Sequence, residues 1–294
     1  MPRPGQGEAL AAWALFAAVT LAVLVTYSRL DTSELYNVTH GGLAGGMSRA
    51  IVLLNFPVAL VAIALTLLAV AALPRNAWFV AGPAIALSAG VAVTVDQNDL
   101  DVRWVNAIPA LGVVLALALT ATAARVAGTS VGPWRAGDRA RVVVAAVVLV
   151  LALPWVAAEL GFHLPGDVFF GEEPYPESDG RVIAAVHLGH HHGGDGALLV
   201  VTALLLSRVR MAPGVLRVIF TSYLGMMLAY GAVNFAQDLW REQVVKRGWT
   251  EVDLPSALVP GARPVWLVIL VLAALATMLL LREDDSHSAL PARA

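Results

Sequence analysis

Long apolar blocks constrain this chain more than any other feature. Eight stretches dominated by alanine, valine and leucine follow one another along the sequence, and each has roughly the 20 residues that a helix needs to cross a bilayer. The predicted spans lie at about residues 9–27, 50–73, 77–95, 104–127, 142–160, 181–207, 215–238 and 264–281. Membrane barrels use shorter segments of alternating polarity. The sequence therefore predicts an all-α, polytopic integral membrane protein, with residues 1–294 forming a single transmembrane helical domain.

Composition narrows the classes of partner. Apolar residues make up 59% of the chain and charged residues 14%, against about 25% charged residues in soluble domains. The lipid bilayer is therefore the first predicted partner, and the net charge of −2 gives no reason to expect a nucleic acid. The chain has no cysteine, which excludes disulfides, thiolate ligands and iron–sulfur clusters. Arginine outnumbers lysine eighteen to one, a bias typical of GC-rich bacteria.

Basic residues in the loops indicate the orientation, because positively charged loops stay on the cytoplasmic side. The 128–141 loop carries three arginines, and the loop after the sixth predicted span carries Arg208 and Arg210. These loops share a side with both chain termini, which are therefore predicted to be cytoplasmic in a cell membrane. Every histidine except His287 falls on the other side, so the functional face is predicted to be extracytoplasmic.

The segment HLGHHHGGD, residues 187–195, opens the sixth predicted span. If residues 181–207 form one helix, His187, His190, His191 and Asp195 share one arc at about 100° per residue. Neutral imidazole suits zinc, iron and copper, and a carboxylate can complete the ligand shell. We therefore predict a divalent transition-metal site with ligands among these four residues. Haem ligation by one or two of the histidines is an alternative.

Polar residues in the outer halves of other spans are predicted to face the same point. A charged residue at mid-membrane costs about 2.5–3.5 kcal/mol on insertion scales, so several polar residues at one depth indicate a shared cavity that opens outward. The predicted cavity-lining residues are Asn55, Asn106, His163, Tyr230, Asn234 and Gln237. The predicted general bases, or groups that orient a metal ligand, are Asp238, Glu159 and Glu173.

Three short patterns resemble those of known membrane proteins. The string HLGHH at residues 187–191 resembles the HxxHH box of membrane fatty-acid desaturases and hydroxylases. That resemblance implies a di-iron site, although the family has several such boxes and this chain has one. His191 and Asp195 are similar in spacing to a late motif of CAAX-type membrane endopeptidases, but the pair Glu172–Glu173 lacks the arginine that follows in that family. Span count and paired histidine and aspartate are similar to nickel and cobalt permeases, whose HxxxxDH motif this chain lacks.

Together these features favour a metal-dependent membrane enzyme that acts on a lipid-like or small-molecule substrate at the outer leaflet. The metal would activate water for hydrolysis, or oxygen. A transporter or metal permease is the first alternative, although the apolar inner halves of the spans count against it. A non-catalytic membrane subunit that binds haem or a protein partner is the second alternative.

Overall fold

The protein is an all-α helical bundle. Its computed structural model describes residues 4–35, 37–94, 96, 99–177, 180–189 and 191–288, with side chains up to residue 282. Within these residues the α-helices are α1 Gly7–Tyr27, α2 Gly42–Leu53, α3 Ala59–Ala72, α4 Trp78–Ala89, α5 Val91–Thr94, α6 Ala107–Ala127, α7 Asp138–Leu151, α8 Leu153–Glu159, α9 His192–Leu206, α10 Val215–Trp240 and α11 Pro264–Ser288. Short 3₁₀ turns lie at Thr32–Glu34, Arg75–Ala77 and Trp104–Asn106, and π-helical turns at Leu54–Val58 and Arg241–Val245. Strands β1 Pro174–Pro176 and β2 Val182–Ala184 form one hairpin.

The length and apolarity of the helices confirm a polytopic membrane protein. Six continuous stretches suffice to cross a bilayer: Gly7–Tyr27, Gly42–Ala72, Arg75–Thr94, Trp104–Ala127, Val215–Val245 and Pro264–Arg282. The bent pair α7–α8 makes a seventh if it counts as one span. Helix α9, the candidate for an eighth, has only 15 residues. The described residues therefore hold six or seven full spans, where the sequence predicted about eight.

Successive spans alternate in direction, which gives the bundle two distinct ends. We call the end at which Tyr27, Glu159 and His192 lie the histidine end. The arginine end holds the 128–137 connection and Arg208. The start of α1 is fixed at the arginine end, because the backbone N–H of Gln6 donates to the carbonyl of Gly128 at 3.1 Å.

A buried ion-pair network closes the arginine end. Asp138 is 1% exposed, and its two oxygens accept from Arg141 at 3.3 Å and from Arg208 at 3.1 Å. Arg208 also donates to the carbonyl of Gly132 at 3.0 Å. Removing one partner of such a buried pair typically costs about 3–5 kcal/mol. The network therefore holds the start of α7 against the segment that follows α9.

Helix α3 lies at the centre of the bundle, and α7 lies at its edge. Twelve of the fourteen residues of α3 are buried, so this helix is enclosed by others on every side. In α7 only Asp138 and Arg141 are buried, and its valines are exposed to the surroundings. An exposed apolar face of this kind is the face that lipid covers.

Helices α9 and α10 cross with their backbones in contact. A side chain at Gly196 would place its Cβ 2.5 Å from the carbonyl oxygen of Gly231 and 2.7 Å from the nitrogen of Phe235. At Gly231 the added Cβ would lie 2.8 Å from the carbonyl oxygen of Gly196. Small residues at helix crossings are typical of membrane bundles. This crossing brings the start of α9 beside the end of α10.

The predicted span at 181–207 differs from the structure in its first third. Strand β2 pairs antiparallel with β1, and the pairing continues with the N–H of Ala185 donating to the carbonyl of Glu173 at 2.8 Å. Gly189 follows at φ +128°, a conformation that an α-helix cannot contain. Helix α9 therefore begins only at His192, and the predicted common helical arc of His187, His191 and Asp195 does not exist. His190, the fourth member of that set, lies outside the described residues.

Two other predicted spans also change at their ends. The second begins at Gly42, eight residues before the predicted start at residue 50. The fifth is broken after Leu151, where α7 and α8 meet at 59°. Pro154 lies in the first turn of α8 and cannot donate the backbone hydrogen bond that would continue α7.

We expect Gly196→Ala to destabilise the protein by about 1–3 kcal/mol, because the new methyl group would overlap the backbone of α10. The matched control is Gly82→Ala, a glycine inside α4 with no atom within 4 Å of the added Cβ. Alanine is the better helix former by roughly 1 kcal/mol, so the control should unfold at the wild-type temperature or slightly above it. Thermal unfolding of the detergent-solubilised protein measures both. Equal unfolding temperatures for the two variants would contradict backbone contact at Gly196.

Candidate metal centre and cavity

One imidazole and two carboxylate side chains meet at the histidine end. His191, Asp238 and Glu242 each offer one ligand atom, and these atoms lie within 4.8 Å of one another. All three residues are buried, with 4%, 8% and 4% of their surface exposed. The cluster joins two elements, since His191 directly precedes α9 and the carboxylates belong to the end of α10 and the π turn after it. Clustered groups of this type are the donors that divalent metals use.

A stripe of polar residues on α10 leads to the cluster. Tyr230, Asn234, Asp238 and Glu242 are spaced by four, so they follow one face of the helix. The π turn Arg241–Val245 continues the helix beyond Asp238 and carries Glu242. The end of the seventh predicted span, residue 238, therefore falls short of the helix by about two turns.

The bend before α8 directs Trp155 to the cluster. Its indole N–H donates to Oε2 of Glu242 at 2.6 Å, and its ring packs edge-on against Phe235 with centroids 5.4 Å apart. Gly193 allows this approach, because an added Cβ there would lie 2.3 Å from the indole ring. Trp155 is 1% exposed. Its hydrogen bond therefore fixes the orientation of the Glu242 carboxylate.

One polar atom of each cluster residue forms a hydrogen bond to a residue outside the cluster. His191 Nε2 lies 2.9 Å from the carbonyl oxygen of His187, which can only accept, so this nitrogen carries the hydrogen. Asp238 Oδ2 accepts from the N–H of Gly193 at 2.6 Å, and Glu242 Oε2 accepts from Trp155. The other ring nitrogen of His191, Nδ1, lies 3.0 Å from Oε1 of Glu242 and pairs with it. A histidine that binds metal through one nitrogen and donates to a carbonyl through the other is the usual arrangement.

His187 covers the cluster from the connection before α9. Its ring stacks on that of His191, with centroids 4.2 Å apart. Burial lowers the pKa of His187 well below its usual value, and the charges of His191, Arg49 and Lys246 lower it further. His187 therefore packs against the cluster as a neutral ring.

Lys246 fixes the hairpin to the end of α10. Its ammonium donates to the carbonyl of Ala185 at 2.6 Å and pairs with Glu177 at 3.3 Å. It also lies 5.1 Å from the ring centre of Tyr175 on β1. These contacts position the chain that leads from β2 to His187 and His191.

Asp101 ties two connections together elsewhere at the histidine end. The N–H of Thr39 lies 3.2 Å from each carboxylate oxygen, and the Thr39 hydroxyl also donates to Asp101. Partial burial raises the pKa of Asp101, but the bonds from Thr39 outweigh this effect and the pKa is lowered. The stabilisation is therefore present above about pH 4 and is lost as the pH falls through the lowered pKa.

An apolar cavity of about 380 Å³ adjoins the start of α9. Its walls come from α2, the π turn after it, α3, α5, α9, α10, α11 and the connections at Leu100 and residues 258–260. Most of its lining is apolar, including Val52, Phe56, Leu199, Met227 and Trp266. The polar side chains at its wall are His192, Asp195, Tyr223 and Tyr230. Because His192 follows His191 directly, the cavity and the cluster share the first turn of α9.

The structure brings together only part of the predicted site. Two of its residues, His191 and Asp238, are in the cluster, and Asp195 and Tyr230 line the cavity. Of the remaining predicted ligands, His187 stacks beside the cluster, and His190 is not described.

Other predicted residues serve local contacts. Asn106 donates to Asn55 at 3.2 Å, Asn234 to the carbonyl of Tyr230 at 2.9 Å, and Gln237 to the carbonyl of Leu254 at 3.4 Å. Glu173 accepts from the N–H of Gly171 at 2.6 Å, in the connection that precedes β1. The remaining two, Glu159 and His163, are not among the cluster residues or the cavity lining.

Sequence reasoning missed Glu242 and Trp155. The four-residue spacing from Tyr230 to Asp238, continued by one step, reaches Glu242 and was the available signal. Trp155 gives no such signal, because an aromatic residue in an apolar span is ordinarily core. No protein-family model, curated protein or solved structure matches the chain.

We expect Trp155→Phe to lower the unfolding free energy by about 1.5–3 kcal/mol, since it removes a hydrogen bond to a buried charged group. Phenylalanine keeps the aromatic packing against Phe235. The control is Trp249→Phe, because Trp249 is 70% exposed. Thermal unfolding of both variants checks the expectation, which fails if the two variants match.

Proposed function

We propose that this chain is a metal-dependent membrane enzyme that binds one divalent transition metal at His191, Asp238 and Glu242. The observation that carries the proposal is the way in which hydrogen bonds to the rest of the protein orient the three cluster residues. One polar atom of each residue is held by a protein hydrogen bond, and the three residues offer ligand atoms to one another within 4.8 Å. Ligands oriented by such outer contacts are typical of metal sites.

The chemistry of the donors favours zinc or iron. Two carboxylates balance the charge of a divalent ion, and the imidazole adds a nitrogen donor that zinc, iron and copper accept. Three protein ligands leave a coordination position for water, as in catalytic zinc sites. A metal in this position lowers the pKa of bound water towards about 7, which supports hydrolysis.

The neighbouring cavity supports a lipid-like substrate. Its apolar lining and its position inside a membrane bundle suit an alkyl chain. His192 and Asp195 at the wall lie within one turn of the proposed ligand His191. A substrate with its chain in the cavity therefore has its polar head near the start of α9.

A transporter is the second candidate, and one observation favours it. The span Gly42–Ala72 contains a π turn with buried Asn55 and Pro57, and interrupted helices are typical of transporter binding sites. Uptake of radiolabelled zinc by proteoliposomes would support this candidate over the enzyme. The stacked rings of His187 and His191, 4.2 Å apart, leave no room for a haem between them and give no support to haem ligation by this pair.

We expect the purified protein to hold about one zinc or iron per chain, and His191→Gln, Asp238→Asn and Glu242→Gln each to weaken binding at least tenfold. Mass spectrometry of metal content after loading and dialysis measures this. Glu251→Gln is the control, because Glu251 is exposed and follows the same helix. Metal retained at the wild-type level in all three ligand variants, or no metal in the wild type after loading with zinc, iron or copper, would rule out the site.

We further propose that the histidine end is extracytoplasmic in a cell membrane. The opposite end carries Arg208 and the arginines of the 128–141 segment, and basic loops favour the cytoplasm.

The absence of cysteine from the sequence allows a direct test of this orientation. We expect a membrane-impermeant thiol reagent to label Ser33→Cys in intact cells and Ser130→Cys only after the membrane is opened. Both serines are exposed, at the histidine and arginine ends respectively. The reverse labelling pattern would place the site on the cytoplasmic side.

A further inference from the structure

Arg49 is a buried, charged residue whose guanidinium group lacks hydrogen-bond partners within the described structure. It lies in α2 with 0% of its surface exposed, and none of its three guanidinium nitrogens has a hydrogen-bond partner among the residues that the structure describes. Its described contact is with Tyr27, whose ring centre lies 5.0 Å from the guanidinium carbon. Tyr27 is also fully buried, and within the described part of the chain its hydroxyl has no hydrogen-bond partner of good geometry, although Arg49 lies near it.

This arrangement is too costly to be structural packing alone. Arginine stays protonated in proteins, and a buried charge left without compensating hydrogen bonds costs several kcal/mol. Within a membrane protein, an inward-facing ionisable residue of this kind marks a ligand path or site. The open donors of Arg49 and Tyr27 therefore indicate a ligand that accepts hydrogen bonds.

The neighbouring charged groups leave these donors open. Glu159 and Asp195 lie close enough to act electrostatically on Tyr27, and each of them has interactions of its own. Neither carboxylate forms a hydrogen bond to the guanidinium. On the remaining side, the backbone of Gly189 passes so close that an added Cβ would lie 2.6 Å from the Tyr27 hydroxyl.

The apolar cavity begins one turn from Arg49 on the same helix face. Arg49, Val52 and Phe56 are spaced by three and four residues, and the last two line the cavity. Along this helix the lining extends from Val52 to Leu60, about 12 Å at 1.5 Å per residue. Neither Arg49 nor Tyr27 belongs to the lining itself, so the cation lies one helical turn from Val52, the first residue of this helix at the cavity wall.

We propose that Arg49 and Tyr27 bind the oxyanion head, a carboxylate or phosphate, of a single-chain lipid whose alkyl chain fills the cavity. The planar guanidinium matches such a head with paired hydrogen bonds. If this lipid is also the substrate, the inference rests on the proposed function. The binding of the lipid itself requires no metal.

The extent of the cavity lining along this helix indicates the length of the alkyl chain that fits. An extended alkyl chain advances roughly 1.3 Å per carbon, given C–C bonds of about 1.5 Å, so 12 Å accommodates about nine or ten carbons. Tyr223 lines the cavity beside Leu60, and its hydroxyl is fixed on the Leu60 carbonyl at 2.8 Å. This contact holds the Tyr223 ring at the Leu60 end of the lining, where we expect it to limit the length of the bound chain.

Binding of four ten-carbon probes to the detergent-solubilised protein tests the head. Decanoic acid, decyl phosphate, decanol and decyltrimethylammonium are compared by native mass spectrometry, with inorganic phosphate as the free anion. We expect both anionic probes to bind at least tenfold more tightly than the other two, and inorganic phosphate not to compete at similar concentrations. Equal binding of the neutral or cationic probe overturns the anionic head. Displacement by inorganic phosphate alone overturns the role of the cavity.

Two substitutions locate the head. Arg49→Gln should weaken binding of decyl phosphate roughly ten- to hundredfold, as expected for a hydrogen bond to a charged group, and Tyr27→Phe should weaken it less. Arg29→Gln, an exposed arginine near the end of α1, is the control. Wild-type binding in a folded Arg49→Gln protein overturns the proposal, and Tyr27→Phe keeps it testable if Arg49→Gln does not fold.

Chain length provides an independent check of the cavity. Tyr223→Ala should shift the preferred probe from about ten carbons to a longer chain, while Met227→Trp, which fills the cavity, should abolish binding of every chain. Unchanged chain preference in both variants overturns the assignment. Metal content is measured in the same samples, so that failure of lipid binding with metal retained is distinguished from failure of the metal site.

Discussion

The contact between the backbones of α9 and α10 is the constraint on which the histidine end depends. Gly196 and Gly231 bring the two helices together where any side chain would separate them. Because α9 starts four residues before this crossing, His191 and Gly193 meet the last turns of α10, where the two carboxylates lie. Trp155 reaches the same point only because α8 bends away from α7. The cluster is thus a product of helix packing, with members from separate parts of the chain.

The pairing of buried charged residues differs between the two ends of the bundle. At the arginine end, Asp138 receives two arginines and the network is closed. At the histidine end, two carboxylates lie beside one histidine. The guanidinium N–H groups of Arg49 have no hydrogen-bond acceptor among the described residues. Closed networks are sufficient for stability, whereas open groups in a membrane interior carry a cost that a ligand can offset. This contrast is the physical basis for placing function at the histidine end.

Hydropathy predicted most of the architecture because a bilayer imposes one length and one polarity on every helix that crosses it. It failed at residues 181–191, where strand pairing with Pro174–Pro176 satisfies the backbone and no local pattern reveals the partner. The sequence analysis named the histidine segment and Asp238 because polar residues in apolar spans are informative one by one, and the structure places His191 and Asp238 close together. The identity of the cluster was only partly predictable. Glu242 lies beyond the apolar block that defined its span, while Trp155 and Arg49 acquire meaning only from tertiary contacts.

The hydrogen bond from Gly193 to Asp238 has a consequence for the electrostatics of the site. Gly193 lies in the first turn of α9, where amide groups have no partner within the helix. His191 is the N-cap residue, but its side chain does not cap the helix, so a carboxylate from α10 takes that role. The macrodipole of α9 presents about half a positive charge at this terminus. The peptide backbone itself therefore favours the charged form of the Asp238 carboxyl beside the imidazole.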